Sequence, residues 1–214
     1  MKLLLAPCAE LIAVACACPA RAQVAGQLGG AVPIAVNSHV FGGYVALAQH
    51  QALALCQLRL SFYPGVDFGF QGGIHRYDAD RVGTSSTAIE LGGDVRTLVA
   101  RRSASAPLDV SLGGAIQLGS SDHRSVLDVG PTIAVGRSYT YTGGSELSPY
   151  FGLAALYRRS DIDAVSSTDL SFPLRMGLEY RPNADVRLVV ELQVPLSDPQ
   201  GSHPKLLLGA NFPF

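Results

Sequence analysis

Tryptophan is missing from this chain, and cysteine is all but missing from most of it: Cys8, Cys16 and Cys18 crowd the amino terminus and Cys56 stands alone afterwards. One remaining thiol excludes an intramolecular disulfide framework for that larger part. An excess of one charge is lacking too, with 16 basic residues against 17 acidic ones. That balance excludes a polybasic surface for nucleic acid, which is not among the expected partners. Beyond residue 22 no apolar run approaches the ~20 residues of a membrane-spanning helix. No stripe of period 3.6 is long enough to read as a helix, and no P-loop, Gly-x-Gly-x-x-Gly or Cys-x-x-Cys follows residue 22. His39, His50, His75 and His203 are scattered without metal-ligand spacing. No metal or cofactor is expected.

What is present needs placing, because 48% of the chain is hydrophobic. The first residues, MKLLLAPCAELIAVACACPARAQ, have a short positive start at Lys2, an apolar stretch interrupted by Glu10, and Ala20-Arg21-Ala22 as a small-x-small cleavage pattern. Residues 1–22 therefore read as a secretory signal cleaved before Gln23. The three early cysteines would leave with it. Residues 23–38 are poorly patterned and read as a lead-in.

From residue 39 onward the apolar residues alternate. Val186, Leu188, Val190, Leu192, Val194 and Leu196 share one face of a strand, while Arg187, Glu191 and Gln193 lie on the other. Just upstream, Leu170, Phe172, Leu174, Met176, Leu178 and Tyr180 oppose Arg175, Gly177, Glu179 and Arg181. Period two over such lengths is a strand signal. Pro182-Asn183-Ala184-Asp185 between them is a turn sequence. Similar alternation marks strands near 40–48, 52–62, 66–76, 86–100, 107–119, 125–138, 148–159, 169–181, 186–196 and 205–214. The fold expected over 39–214 is all-β: an antiparallel up-and-down transmembrane β-barrel of about ten strands, with eight to twelve possible. The connections sort into two sets. QHQA, YDADRVGTSS, GSSDHRS, SDIDAVSSTD and SDPQGSHP are expected as the mostly longer, extracellular set.

Alternation alone does not say which face is inside. The polar face here is sparse, rich in small residues, and carries charges of both signs on neighbouring strands. A narrow lumen needs small side chains between a few long ones, and charges enclosed there must be paired. A lipid-embedded sheet must also close on itself to satisfy its edges. The lumen-lining ion-pair candidates are Arg59, Glu90, Asp94, Arg96, Arg175, Glu179, Arg187 and Glu191. They suit either a selectivity ring or a structural plug, and a barrel of about ten strands, little wider than its own side chains, favours the plug.

The chain ends KLLLGANFPF, with Leu206, Leu208, Ala210, Phe212 and Phe214 on one face. The signal sequence, the alternating strands and this ending together resemble small bacterial outer-membrane β-barrel proteins of the outer-membrane-protein-A and W type. The resemblance implies an outer-membrane location, lipid contact, a monomer, and Phe212 and Phe214 as part of a signal read by the barrel-assembly machinery. Pro213 departs from the pattern. The function implied is non-enzymatic: envelope structure, surface interaction, or passage of small or apolar solutes through a narrow or plugged lumen.

Two other readings compete. A secreted or periplasmic soluble β-barrel would turn the apolar face inward around an apolar ligand. A lipid A deacylase-like hydrolase would use His123 and Ser125 with a carboxylate such as Asp122 or Asp128. Against the hydrolase, Arg137 stands about where a glutamate would complete that pattern, and Glu146 is expected at the opposite membrane edge.

Overall fold

The computed structural model describes residues 28–48, 51–77, 86–121, 124–162, 165–197 and 204–214. The signal sequence, His50, Asp122, His123 and His203 lie outside the described residues. Thirteen strands form one antiparallel sheet: β1 His39–Ala48, β2 Gln51–Tyr63, β3 Val66–Tyr77, β4 Ser86–Ala100, β5 Asp109–Ser121, β6 Arg124–Gly136, β7 Tyr139–Thr140, β8 Glu146–Ala154, β9 Leu156–Ile162, β10 Val165–Ser171, β11 Pro173–Arg181, β12 Arg187–Pro195 and β13 Lys205–Pro213. Each main strand pairs with its chain neighbour, and β13 pairs with β1, so the sheet closes.

The wall has ten staves. β8 and β9 are two halves of one stave, both paired to β6 on a single register that runs from Arg124↔Ile162 to Gly136↔Tyr150. The interruption lies opposite Pro131, which has no N–H to give the ladder, although its carbonyl still accepts from the Ala155 N–H at 3.0 Å. β10 and β11 are likewise one stave, interrupted at Phe172 ahead of Pro173. β7 is a two-residue extension paired to the start of β8.

Paired residues run from Gly42 through Gln57, Gln71, Gly92, Gln117, Asp128 and Arg158 to Asp169. Carried right round the barrel, these registers displace the ladder by about 12 residues along β1, a shear that tilts ten strands by about 40°.

The turns at the end carrying Phe214 follow local chemistry. Pro64-Gly65 joins β2 to β3 with Gly65 at φ 73°, the conformation that the third residue of a type II turn requires. Between β11 and β12 the Asn183 side chain accepts from the backbone N–H groups of Asp185 at 3.0 Å and Val186 at 3.1 Å. TYTGGSELS, long for a turn, is shortened by the β7–β8 pairing and a bend at Gly143 and Gly144.

The expected difference in loop length between the two ends is absent. At the opposite end β1 and β2, β5 and β6, and β9 and β10 are each separated by two residues. Much of SDIDAVSSTD is strand, because polar residues there continue the ladder without an apolar alternation to announce it. The other two connections at the end opposite Phe214, 78–85 and 196–204, are no longer than 101–108 and 137–145 at the Phe214 end.

Candidate functional site

The staves turn their apolar faces outward, apart from an inward strip that includes Leu53, Leu55, Val189 and Leu207. Phe41, Val45 and Leu47 on β1, Ile89, Leu91 and Val95 on β4, and Leu188 and Val190 on β12 are exposed. Their sequence neighbours Tyr44, Glu90, Asp94 and Glu191 are buried inside. About ten residues per strand at this tilt give an apolar belt of roughly 25 Å. Exposed aromatics gather at the Phe214 end: Phe62, Tyr63, Tyr139, Tyr141, Tyr180 and Phe212. Phe214 itself continues β13, donates its N–H to the His39 carbonyl at 3.0 Å and stacks on the His39 ring at 5.6 Å.

The interior is the site to consider, since it gathers the charges. Asp67 is its hub, fully buried. It accepts from Arg59 Nη2 at 2.6 Å and from Arg96 Nη2 at 2.5 Å and Nε at 3.1 Å. Arg59 also holds Asp94 through two hydrogen bonds, at 2.8 and 3.1 Å. The run Asp94–Arg59–Asp67–Arg96 thus alternates in sign and sums to zero, as enclosed charges must. Its geometry has a local cause. Asp67↔Arg96 and Gly69↔Asp94 are paired positions of β3 and β4, and Gly69 leaves room for the Arg59–Asp94 pair to lie across it.

Further along the lumen, His75 Nδ1 lies 2.8 Å from Glu90 Oε1 and its Nε2 lies 3.1 Å from Gln51 Oε1. Gln117 donates to Glu90 Oε2 at 3.0 Å. Arg158 meets Asp128 at 2.9 Å across β6 and β9. On the facing wall Tyr150 donates to Glu191 Oε2 at 2.7 Å, and Gln193 to its Oε1 at 2.7 Å. Arg187 and Glu179 pair at 3.3 Å nearer the Phe214 end, and Arg175 is buried across the bare backbone of Gly152. Lys205 is buried beside Gln193 in the register, and its ammonium has no hydrogen-bond partner among the described residues. The amides of Gln57 and Gln71 are likewise unpartnered.

All eight charged residues singled out from the sequence point into this lumen. Arg59, Asp94 and Arg96 fall in one network; Glu90, Glu191 and the Arg187–Glu179 pair fall elsewhere along it. Sequence reasoning missed Asp67, the hub, as well as His75, Arg158 and Lys205. Parity alone could have found them, because each sits on the polar face of its strand.

Sequence reasoning also missed the lead-in. Residues 28–37 reach the lumen-facing side chains near the Phe214 end. The Ile34 N–H donates to Asp67 Oδ2 at 2.9 Å, the Gly30 N–H donates to Glu179 Oε2 at 3.1 Å, and the Gly30 carbonyl accepts from Arg96. Leu28 packs with Tyr44, Leu53, Leu55, Val189 and Leu207, an apolar strip of the inner wall.

The hydrolase cluster does not assemble among the described residues. Ser125 faces outward whereas Asp128, three positions on, faces into the lumen toward Arg158, so the wall separates them. The carboxylate across from Ser125 is Asp161, which accepts from Ser166 and pairs with Arg159 at 3.3 Å. Glu146 lies at the Phe214 end, paired with Arg181 at 3.8 Å. No group of three His, Cys, Asp or Glu side chains that could hold a metal occurs among the described residues.

No family model matches this chain, and no curated relative does. Among solved structures it is similar to the β domain of the Bordetella autotransporter BrkA, at 10% identity over 82% of this chain and 98% of that one, with a TM-score of 0.48. An outer membrane channel from Pseudomonas putida F1 aligns at 13% identity over 88% of this chain and 100% of the other, with a TM-score of 0.47. The KdgM porin aligns at 11% identity over 82% of this chain and 99% of its own, with a TM-score of 0.38. The closed antiparallel barrel is established by the ladder itself, independently of these likenesses.

Proposed function

We propose that this chain is an integral outer-membrane β-barrel, exported by a cleaved signal, whose lumen is closed, and that it serves the envelope as a non-enzymatic structural or surface-presenting protein. One observation carries the reading: the barrel is apolar outside and ion-paired inside. Water on the outer face would leave a continuous apolar belt exposed, far beyond the patch size a soluble monomer carries. Lipid around the belt removes that cost, and closure satisfies every strand edge. A soluble carrier of an apolar ligand would need the opposite arrangement. Among the described residues, the larger apolar strip inside is packed against Leu28.

The closed state follows from three layers of filling: the Asp94–Arg59–Asp67–Arg96 network, the His75–Glu90 and Asp128–Arg158 pairs, and the backbone of residues 28–37. Phe212 and Phe214 stand at the closing strand, where the assembly machinery would read them, and membrane lipids are the other partners. The barrel is read as a monomer.

The test is a fractionation with an electrophoretic shift. The protein is expected in the outer-membrane fraction, to require detergent for extraction, and to migrate differently before and after boiling. In planar bilayers the parent should show no steady conductance. A protein soluble without detergent would overturn the membrane reading, and a steady ohmic conductance would overturn the closed lumen.

A further inference from the structure

The outer wall carries a groove that the closed lumen does not explain. It spans β3 to β6 about midway along the apolar belt, has a volume of about 610 Å3 and is lined almost wholly by apolar atoms. Its floor is bare backbone at Gly93 and Gly114. These are outward positions on adjacent strands, set diagonally because Gly93 pairs with Ile116 and Val95 with Gly114. Phe68 and Phe70 form one side; Ile116, Val129 and Pro131 form the other.

Neither glycine is demanded by the protein. Neither has a positive φ, and a Cβ at Gly114 would meet only the Gly130 carbonyl at an ordinary 3.7 Å. At Gly93 it would meet the Gly69 carbonyl at 3.4 Å. Glycines on the inner wall differ: Gly209 and Gly177 lie beneath the rings of Tyr44 and Tyr150, which a Cβ would strike. Gly93 and Gly114 instead keep open a slot on the face turned to the membrane.

The rim below the groove is basic. The same two strands descend past Val99 and Val110 to Arg101 and Arg102, both exposed. Arg102 reaches across to the Ser138 carbonyl at 2.5 Å, which brings that loop beside Arg137, itself exposed and stacked 5.0 Å over Tyr139. Asp109 is buried and accepts from the Arg102 N–H at 2.8 Å, and Glu146, which shares a hollow with Arg137 and Ser138, is paired with Arg181 at 3.8 Å. Three guanidiniums at the rim and, eight residues along β4 from Arg101, an apolar slot at the mid-depth of a ~30 Å core match the two ends of one molecule.

We propose that this sector binds one anionic phospholipid, its phosphate on Arg101, Arg102 and Arg137 and an acyl chain in the groove floored by Gly93 and Gly114. The site rests on the membrane reading above.

The full chain, reconstituted in phosphatidylcholine vesicles with and without phosphatidylglycerol, is extracted gently and its retained lipid counted by native mass spectrometry. Phosphatidylglycerol is expected to be retained at least tenfold over phosphatidylcholine at equal supply. Gly93→Leu/Gly114→Leu should abolish that retention. Gly43→Leu, at an outward glycine whose Cβ would meet nothing within 4 Å, should preserve it. Replacing all three arginines by glutamine should remove the headgroup preference. Should the leucine pair fold poorly, Gly114→Val alone gives the same comparison. Equal retention of both lipids, or equal retention by the groove variant and the Gly43→Leu control, overturns the site. If those results come from a protein that still shifts on boiling and inserts in vesicles, the barrel reading survives and only the lipid site falls.

Discussion

Asp67→Ala is the substitution that tests the interior most directly. It deletes the acceptor for three guanidinium hydrogen bonds and for the Ile34 N–H. Its consequences for the two arginines differ. Arg59 keeps its two-point hold on Asp94, whereas Arg96, itself buried, loses its one carboxylate partner among the described residues and keeps the Gly30 carbonyl. Removing one side of a buried pair costs ~3–5 kcal/mol, most of it from the charge left behind. The comparison is the Arg181–Glu146 pair, longer at 3.8 Å and more than a quarter exposed on both sides, which should contribute at most ~1 kcal/mol. The assay is the fraction of compact, unboiled band against urea in detergent. Asp67→Ala should shift the midpoint several times further than Glu146→Ala, and 1 M salt should not close the gap, because buried pairs are little screened. Asp67→Leu/Arg96→Met should recover most of the loss, since it removes the orphaned charge as well. Equal shifts for Asp67→Ala and Glu146→Ala would refute the claim that this network holds the barrel. The same variant loses a tether of the lead-in, so intermittent conductance absent from the parent is expected in bilayers.

Three further substitutions probe facing and packing. Val190→Arg puts a charge on the outer belt and is expected to cost ~2–4 kcal/mol near the bilayer midplane, read from folding into vesicles; tolerance equal to that of a rim position such as Asp185→Arg would reverse the facing assignment. Gly209→Ala drives a Cβ into the Tyr44 ring where β13 closes on β1, so an overpacking loss of ~1–3 kcal/mol is expected by urea titration, and an unchanged midpoint would show that the seam is looser than drawn. Lys205→Met removes a buried ammonium with no hydrogen-bond partner among the described residues and should raise the urea midpoint or leave it in place, whereas Arg96→Met, which strips Asp67 of a two-point partner, should lower it by ~3 kcal/mol or more.

The strands and their facing were legible because alternation writes both into the sequence. Val186 to Leu196 show this well: one parity faces out, and the other holds Arg187, Glu191 and Gln193 inside. Legibility failed where the alternation faded. Ser160 to Ser167 mix polar and apolar residues on both parities, so a continuing hairpin looked like a loop. The partners inside were harder still. Glu90, Asp94 and Arg96 share one strand and one face, yet each finds its partner elsewhere: Glu90 in His75, Asp94 in Arg59, Arg96 in Asp67. Only the register of β2, β3 and β4 decides those pairings, and the registers come from ladders and bulges that the composition does not encode.

The lead-in was illegible for a different reason. Residues 28–37 meet the lumen largely through main-chain atoms: the Gly30 N–H and carbonyl, the Ile34 N–H, and the Leu28 carbonyl that accepts from Tyr44 at 3.4 Å. Those atoms are common to almost every residue type, so nothing in GGAVPIAV announces the contact. The recognisable half lies on the barrel, in Asp67, Arg96 and Glu179, charged residues that also serve one another. A segment held in this way can vary in side chain while keeping its place, provided that its backbone can reach those three groups. Substitutions at the exposed positions Val32, Ala35 and Val36 that leave the backbone free, such as Val32→Thr, should therefore matter little, while Ile34→Pro, which deletes the N–H given to Asp67, should release the segment much as the loss of Asp67 does.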